Sequence, residues 1–210
     1  MENTTSVRVW DILVRLFHWS LVISFTIAYF TSEQESPWHI YSGYTVAGLV
    51  LFRLIWGFIG TRYARFNQFI YSPAKVIEYA QGLIRRHPPY YAGHNPAGGW
   101  MIVALLIGLT VITITGLKLY AIEAGRGPLA SGNGVEFSLV QNAYADRDEH
   151  AGKEKHEKPG EEFWEEFHEI ATNLTLLLIF LHLAGVVLSS RLHGENLVKA
   201  MITGNKRTEQ

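Results

Sequence analysis

The stretch HEIATNLTLLLIFLHLAGVVLSS, residues 168–190, decides the fold of this chain. A bilayer core of ~30 Å needs ~20 apolar residues of helix at ~1.5 Å per residue, and this run is long enough. It begins with His168 and carries His182 fourteen residues on. Fourteen residues turn a helix by ~1400°, within ~40° of whole turns, and raise it by ~21 Å. The two histidines therefore share one face at two depths. Ionisable groups inside a span usually face a bundle interior or a functional site, because lipid cannot solvate them.

Working outward, three more runs qualify as spans. They are ILVRLFHWSLVISFTIAYF at about residues 12–31, WHIYSGYTVAGLVLFRLIWGFIG at about 38–60, and GGWMIVALLIGLTVITITGLKLY at about 98–120. Each is interrupted by His, Arg or Lys. The 210 residues are 48% hydrophobic, and a mean hydropathy of only +0.08 conceals the contrast between these runs and one polar stretch. The expected fold is an all-α membrane protein, a four-transmembrane-helix bundle forming one domain over residues 1–210. The first run is not read as a secretory signal. It is longer than a signal core, contains His18 and Trp19, and YFTSEQES lacks a small-x-small cleavage pattern.

Charge orients the bundle. The N-terminal segment, residues 61–97 and the tail after 190, with Arg15, carry eleven Lys or Arg, against five in the opposite set. The positive-inside rule then places both termini in the cytoplasm. The outer side holds a polar loop, residues 121–167, with eleven Asp or Glu against five Lys or Arg. Its composition suits a mobile or partner-ordered surface rather than a packed domain. On the inner side, SPAKVIEYAQGLIRR spaces Val76, Ile77, Tyr79, Ala80, Leu83 and Ile84 as an amphipathic helix lying on the membrane.

The chain has no cysteine, which excludes disulfides, iron–sulfur clusters, thiolate zinc sites and thioether-linked haem. Histidines remain. Of nine, four lie in or at the ends of spans: His18, His39, His168 and His182. Successive spans run in opposite directions, so His39 and His168 fall at the outer level and His18 and His182 at the inner. Two histidines from different helices at one height can clamp a haem iron from both sides, and two levels make two non-covalent haems. A lone intramembrane histidine is more often a hydrogen-bonded packing residue, but four at two matched heights argue against that. Zinc would need further ligands at each level. Gly43 and Gly185 lie on the ligand faces and leave room for a macrocycle, although small residues also serve ordinary helix packing. Arg53 is placed to pair with a haem propionate, against the alternative of snorkelling to the interface.

With RLFHW in span one, HIYSGYTVAGLVLFRLIWGFIG in span two, GHNPAGG before span three, and HEIATNLTLLLIFLH followed by SSRLHGENLVKAMITGNKR, the chain resembles the bacterial cytochrome b561 and Ni/Fe-hydrogenase b-type cytochrome family. That resemblance implies a four-helix bundle in the bacterial inner membrane. It implies two haem b groups with bis-histidine ligation by His18, His39, His168 and His182, linking a periplasmic redox partner to the quinone pool. In GHNP, His94 and Asn95 are candidates for hydrogen-bonding a quinone carbonyl, while Asn95 capping a helix before Pro96 explains much of the same motif. The acidic outer loop departs from the family pattern and suits docking of a soluble partner such as a periplasmic c-type cytochrome. A nucleic-acid partner is not expected, and a homo-oligomer is compatible with the sequence. His87, His150, His156 and His193 have no matched partner and are assigned no role. Two other readings stand: a self-contained quinone-dependent oxidoreductase, for example one oxidising superoxide, and a non-redox anchor or transporter.

Overall fold

The computed structural model describes residues 6–32, 36–130 and 160–207. In chain order these form β1 (Ser6–Arg8), α1 (Ile12–Phe30), α2 (Pro37–Ile59), two short 3-10 turns, α3 (Pro73–Ile84), α4 (Pro96–Ala124), α5 (Glu161–Leu192), α6 (Leu197–Thr203) and β2 (Asn205–Arg207). The four long helices α1, α2, α4 and α5 are each long and apolar enough to cross a membrane. They correspond to the four spans read from the sequence. α1 packs on α2, α2 on α4 and α4 on α5.

The helices begin where local chemistry dictates. Ser36 precedes Pro37 at the start of α2, and Asn95 precedes Pro96 at the start of α4. In each case the side-chain oxygen accepts a backbone N–H of the first turn, and proline at the first helical position gives up no needed donor. α4 and α5 extend past the expected limits of 98–120 and 168–190. An apolar window detects the bilayer, whereas helix continues as long as the residues permit. AIEA and EEFWEEF are good helix formers, so α4 and α5 run on beyond the apolar layer.

Few side chains are fully buried, as suits helices whose outer faces meet lipid. Phe58 is 74% exposed and Phe180 67%, whereas Val46, Val50 and Leu109 form a small core where α2 meets α4. Between α4 and α5, Gly108 lies against Thr175, and a methyl at Gly108 would come within 2.6 Å of the Thr175 hydroxyl. The two backbones approach closely because that side chain is missing. α3 lies on α4 as the expected amphipathic helix. It turns Tyr79 inward and leaves Ile77 and Ile84 outward, so its apolar positions divide between the protein and the membrane surface.

No sequence pattern announces the two three-residue strands. β1 pairs antiparallel with β2, Ser6 opposite Arg207 and Arg8 opposite Asn205, which puts both termini on one side. The excess of positive charge there makes that side cytoplasmic. The Gly204 carbonyl then accepts the N–H groups of Val9 and Trp10, at 2.9 and 3.0 Å. Lys206 is buried, bridges to Glu195 at 3.3 Å and donates to the Tyr91 carbonyl at 3.0 Å. Asp11 ties this cap to the bundle. Its carboxylate accepts the Val14 N–H at 2.8 Å, capping α1, and also accepts Trp56 Nε1–H at 3.2 Å and the Thr61 hydroxyl.

Burial acts to raise the Asp11 pKa, but the hydrogen bonds from Thr61, Val14, Trp56 and Leu13 together outweigh it and hold the carboxyl below its ordinary 3.8. A depressed carboxylate stabilises the fold above its unfolded value and loses that contribution as pH falls through the folded one. Asp11→Ala should therefore lower stability by about 1–2 kcal/mol at neutral pH, the usual worth of an N-cap, with the deficit shrinking below pH 3.8. Thermal unfolding in detergent across pH checks this. An unchanged midpoint at neutral pH would contradict the role given to Asp11.

Candidate functional site

The outer level is built from the first turn of α2 and a point two turns into α5. There the rings of His39 and His168 lie with centroids 6.3 Å apart and planes at 83°. Each ring has one nitrogen committed. His39 Nδ1 is 2.8 Å from the carbonyl oxygen of Ala28, in the last turn of α1, where carbonyls lack intrahelical donors. A carbonyl only accepts, so Nδ1 carries the proton and Nε2 keeps its lone pair. His168 Nδ1 lies 2.8 Å from the Thr115 hydroxyl. That hydroxyl is 3.0 Å from both the Val111 and Ile112 carbonyls, and with its one proton on either of them it accepts from His168 Nδ1–H. Nε2 of His168 is likewise left as a lone pair.

The inner level holds His18 of α1 and His182 of α5. His18 Nδ1 is buried with no hydrogen-bond partner. Arg53 of α2 lies at the same end of the bundle. It is 3% exposed, its guanidinium sits 5.2 Å from the Phe66 ring centre and 5.8 Å from that of Phe69, and Nη1 is buried without an acceptor. Phe66 reaches it because Gly57 is one turn further along α2, where a methyl would fall 2.1 Å from the Phe66 ring. The aromatic faces offset part of the cost of a buried cation, but an unmet N–H in such surroundings calls for an anion.

These features fit a haem. Imidazole nitrogens bind a metal at ~2 Å, so one iron held between two rings sets their centroids ~6 Å apart, as His39 and His168 are. A methyl built at Gly43 or Gly185 would meet nothing within 4 Å, so α2 and α5 have open flanks where a flat macrocycle could lie. Arg53 is a buried cation of the kind a haem propionate would pair with.

His94 precedes α4 at the cytoplasmic end. Its ring packs against Trp10, centroids 4.3 Å apart, and Phe69, 4.8 Å apart, and its carbonyl accepts the Tyr71 hydroxyl at 3.2 Å. The residue keeps some surface, yet the ring is enclosed, and burial first, then the charges of Arg53 and Lys206, push its pKa down to about 3. It is neutral at physiological pH, able to donate one hydrogen bond and accept another. Asn95 uses its side-chain oxygen to accept the Gly98 N–H at 2.7 Å. That oxygen is committed to capping α4, which leaves its amide N–H groups for a ligand.

Sequence reasoning missed Thr115, the Ala28 carbonyl, Phe66 and Phe69. ITITG looks like any apolar run with threonines, and a backbone carbonyl has no sequence signal. His87 and His193 bond to the nearby Arg85 and Ser189 carbonyls, at 2.9 and 3.0 Å, and His193 also lies edge-on to the Tyr90 ring, centroids 6.2 Å apart. His150 and His156 lie outside the described residues.

Residues 9–204 match the family described as prokaryotic cytochrome b561. The chain is 28% identical over 175 residues to the "Probable Ni/Fe-hydrogenase B-type cytochrome subunit" of Rhodobacter capsulatus, covering 68% of this chain and 66% of that protein. It is 27% identical over 160 residues to the protein of the same description from Azotobacter chroococcum mcd 1, covering 62% and 66%, and 26% identical over 156 residues to that of Azotobacter vinelandii, covering 60% and 64%. The chain thus spans just under two thirds of the length of these relatives. No solved structure matches it. Four apolar helices and the match over residues 9–204 lead to one conclusion: the chain belongs to the prokaryotic cytochrome b561 family, whose members are membrane electron-transfer proteins that bind haem b.

Proposed function

We propose that this chain, as one unit over residues 1–210, is a di-haem cytochrome b that carries electrons between a redox partner on the outer side and membrane quinone. The observation that supports it best is the outer pair, His39 and His168, each with Nδ1 occupied, Nε2 open, and ring centroids 6.3 Å apart. His18 and His182 hold the second group one level below. A bound haem supplies a one-electron couple at each level, and the protein tunes it through ligands, hydrogen bonds and burial. Arg53 neutralises a propionate of the inner group. His94 and the amide N–H groups of Asn95 form hydrogen bonds to quinone at the cytoplasmic edge. The relatives' descriptions favour a hydrogenase-type partner, and the acidic outer segment favours a soluble carrier of basic surface such as a periplasmic c-type cytochrome.

Purified protein should contain two b-type haems per chain. His39→Ala or His168→Ala should remove the outer one preferentially, and His18→Ala or His182→Ala the inner one. A pyridine haemochrome assay decides this: one haem per wild-type chain, or full loading in all four variants, contradicts the assignment.

His94→Ala and Asn95→Ala should each slow haem reduction by quinol analogues by about three- to tenfold, the worth of one or two hydrogen bonds, while haem content stays intact. Asn95→Asp keeps the helix cap and serves as the stability control. Unchanged quinol kinetics in both alanine variants would move quinone to the outer level.

The acidic outer segment, residues 121–167, is described only as far as 130 and from 160. Glu162, Glu165 and Glu166 are exposed on the first turns of α5, just above His168. Electron exchange with a basic cytochrome should slow as added salt shortens the Debye length below ~10 Å. It should slow further when Glu161, Glu162, Glu165 and Glu166 become Gln. Stopped-flow rates that keep their salt dependence after deletion of residues 128–160, and after the glutamine changes, would exclude a docking role.

A further inference from the structure

The two histidine levels differ in what stands behind the rings, and the difference centres on Thr115. This residue is 1% exposed, at the seam between α4 and α5. With its hydroxyl proton on the Val111 or Ile112 carbonyl, both at 3.0 Å, its oxygen faces His168 Nδ1 at 2.8 Å as the acceptor of that ring's N–H. The next residue, Gly116, holds the same ring in place. A methyl there would lie 3.0 Å from His168 Cε1, so the α4 backbone packs directly on the imidazole edge. Valine would fill the space of Thr115 equally well and pack better with its apolar neighbours. The hydroxyl is therefore the informative feature. Across the site, the Ala28 carbonyl acts on His39 in the same way, whereas His18 Nδ1 at the inner level is buried without a partner.

We infer that Thr115 is a positioning residue for the outer haem: its hydroxyl fixes the tautomer and orientation of His168 and makes that imidazole a stronger donor to iron. This rests on the di-haem reading above. Hydrogen bonding at Nδ1–H pushes electron density toward Nε2, and a more basic ligand favours ferric over ferrous iron. Two such bonds at the outer level and an unmet Nδ1 at the inner level give the outer group the lower midpoint potential of the two.

The test is a redox titration with low-temperature electron paramagnetic resonance on purified wild type, Thr115→Val and Thr115→Ser, the two haems being assigned through His168→Ala and His18→Ala. In wild type the outer haem should titrate at the lower potential. Thr115→Val should shift its ferric/ferrous equilibrium toward ferrous by about two- to tenfold, the worth of one hydrogen bond, and alter its low-spin signal, with the inner haem unchanged. Thr115→Ser should restore both. If Thr115→Val loads poorly, loss confined to the outer haem and rescued by serine supports the role. Loss at both levels, or loss that serine fails to rescue, overturns it. A fully loaded Thr115→Val with wild-type potentials and spectrum also overturns it, as does a wild-type outer haem at the higher potential. Failure of the underlying reading looks different, because the wild-type protein itself would then lack two haems.

Discussion

An imidazole within an apolar bundle must place its N–H on an acceptor, since neither lipid nor packed side chains will solvate it. Much of this site follows from that requirement. The acceptors for His39 and His168 come from different helices, a carbonyl at the end of α1 and a hydroxyl on α4. Satisfying each N–H therefore joins α1 to α2 and α4 to α5 at the same height. The hydrogen bonds that select the free nitrogen are also contacts that hold the helix pairs in register. Function and packing are served by the same atoms.

The cytoplasmic end solves a different problem. Arg53 is a cation brought into a nearly dry space, and its neighbours are arranged to tolerate it. Phe66 and Phe69 present ring faces, Asp11 contributes a favourable field from the helix cap, and His94 remains neutral. The short turns that carry the two phenylalanines are seated by missing side chains. Gly57 admits Phe66, and Gly99 admits the Phe69 backbone, whose carbonyl would lie 2.0 Å from an added methyl.

The spans and their approximate limits were legible in the sequence because lipid imposes one strong rule, a sustained apolar run of fixed length. The matched heights of His18 with His182 and of His39 with His168 follow from helix rise and alternating direction alone. Other features were not legible. Thr115 and Ala28 act through atoms that threonine and alanine share with every other position of their kind, so spacing could not single them out. The β1–β2 pairing links residues at opposite ends of the chain through six residues of no distinctive pattern. α4 and α5 extend past their apolar runs because apolarity marks the bilayer and not the helix.

The strand pairing has a consequence for how the molecule is made. β1 has β2 as its strand partner, and the backbone of Val9 and Trp10 is held by Gly204, so Trp10 gains its seat against His94 only after residues 204–207 have left the ribosome. All four long helices precede those residues in the chain. A nascent protein whose four spans are inserted still has its cytoplasmic end open until residues 204–207 close it. The cover over the cytoplasmic end is thus the part of the fold that depends on contacts between residues furthest apart in the sequence.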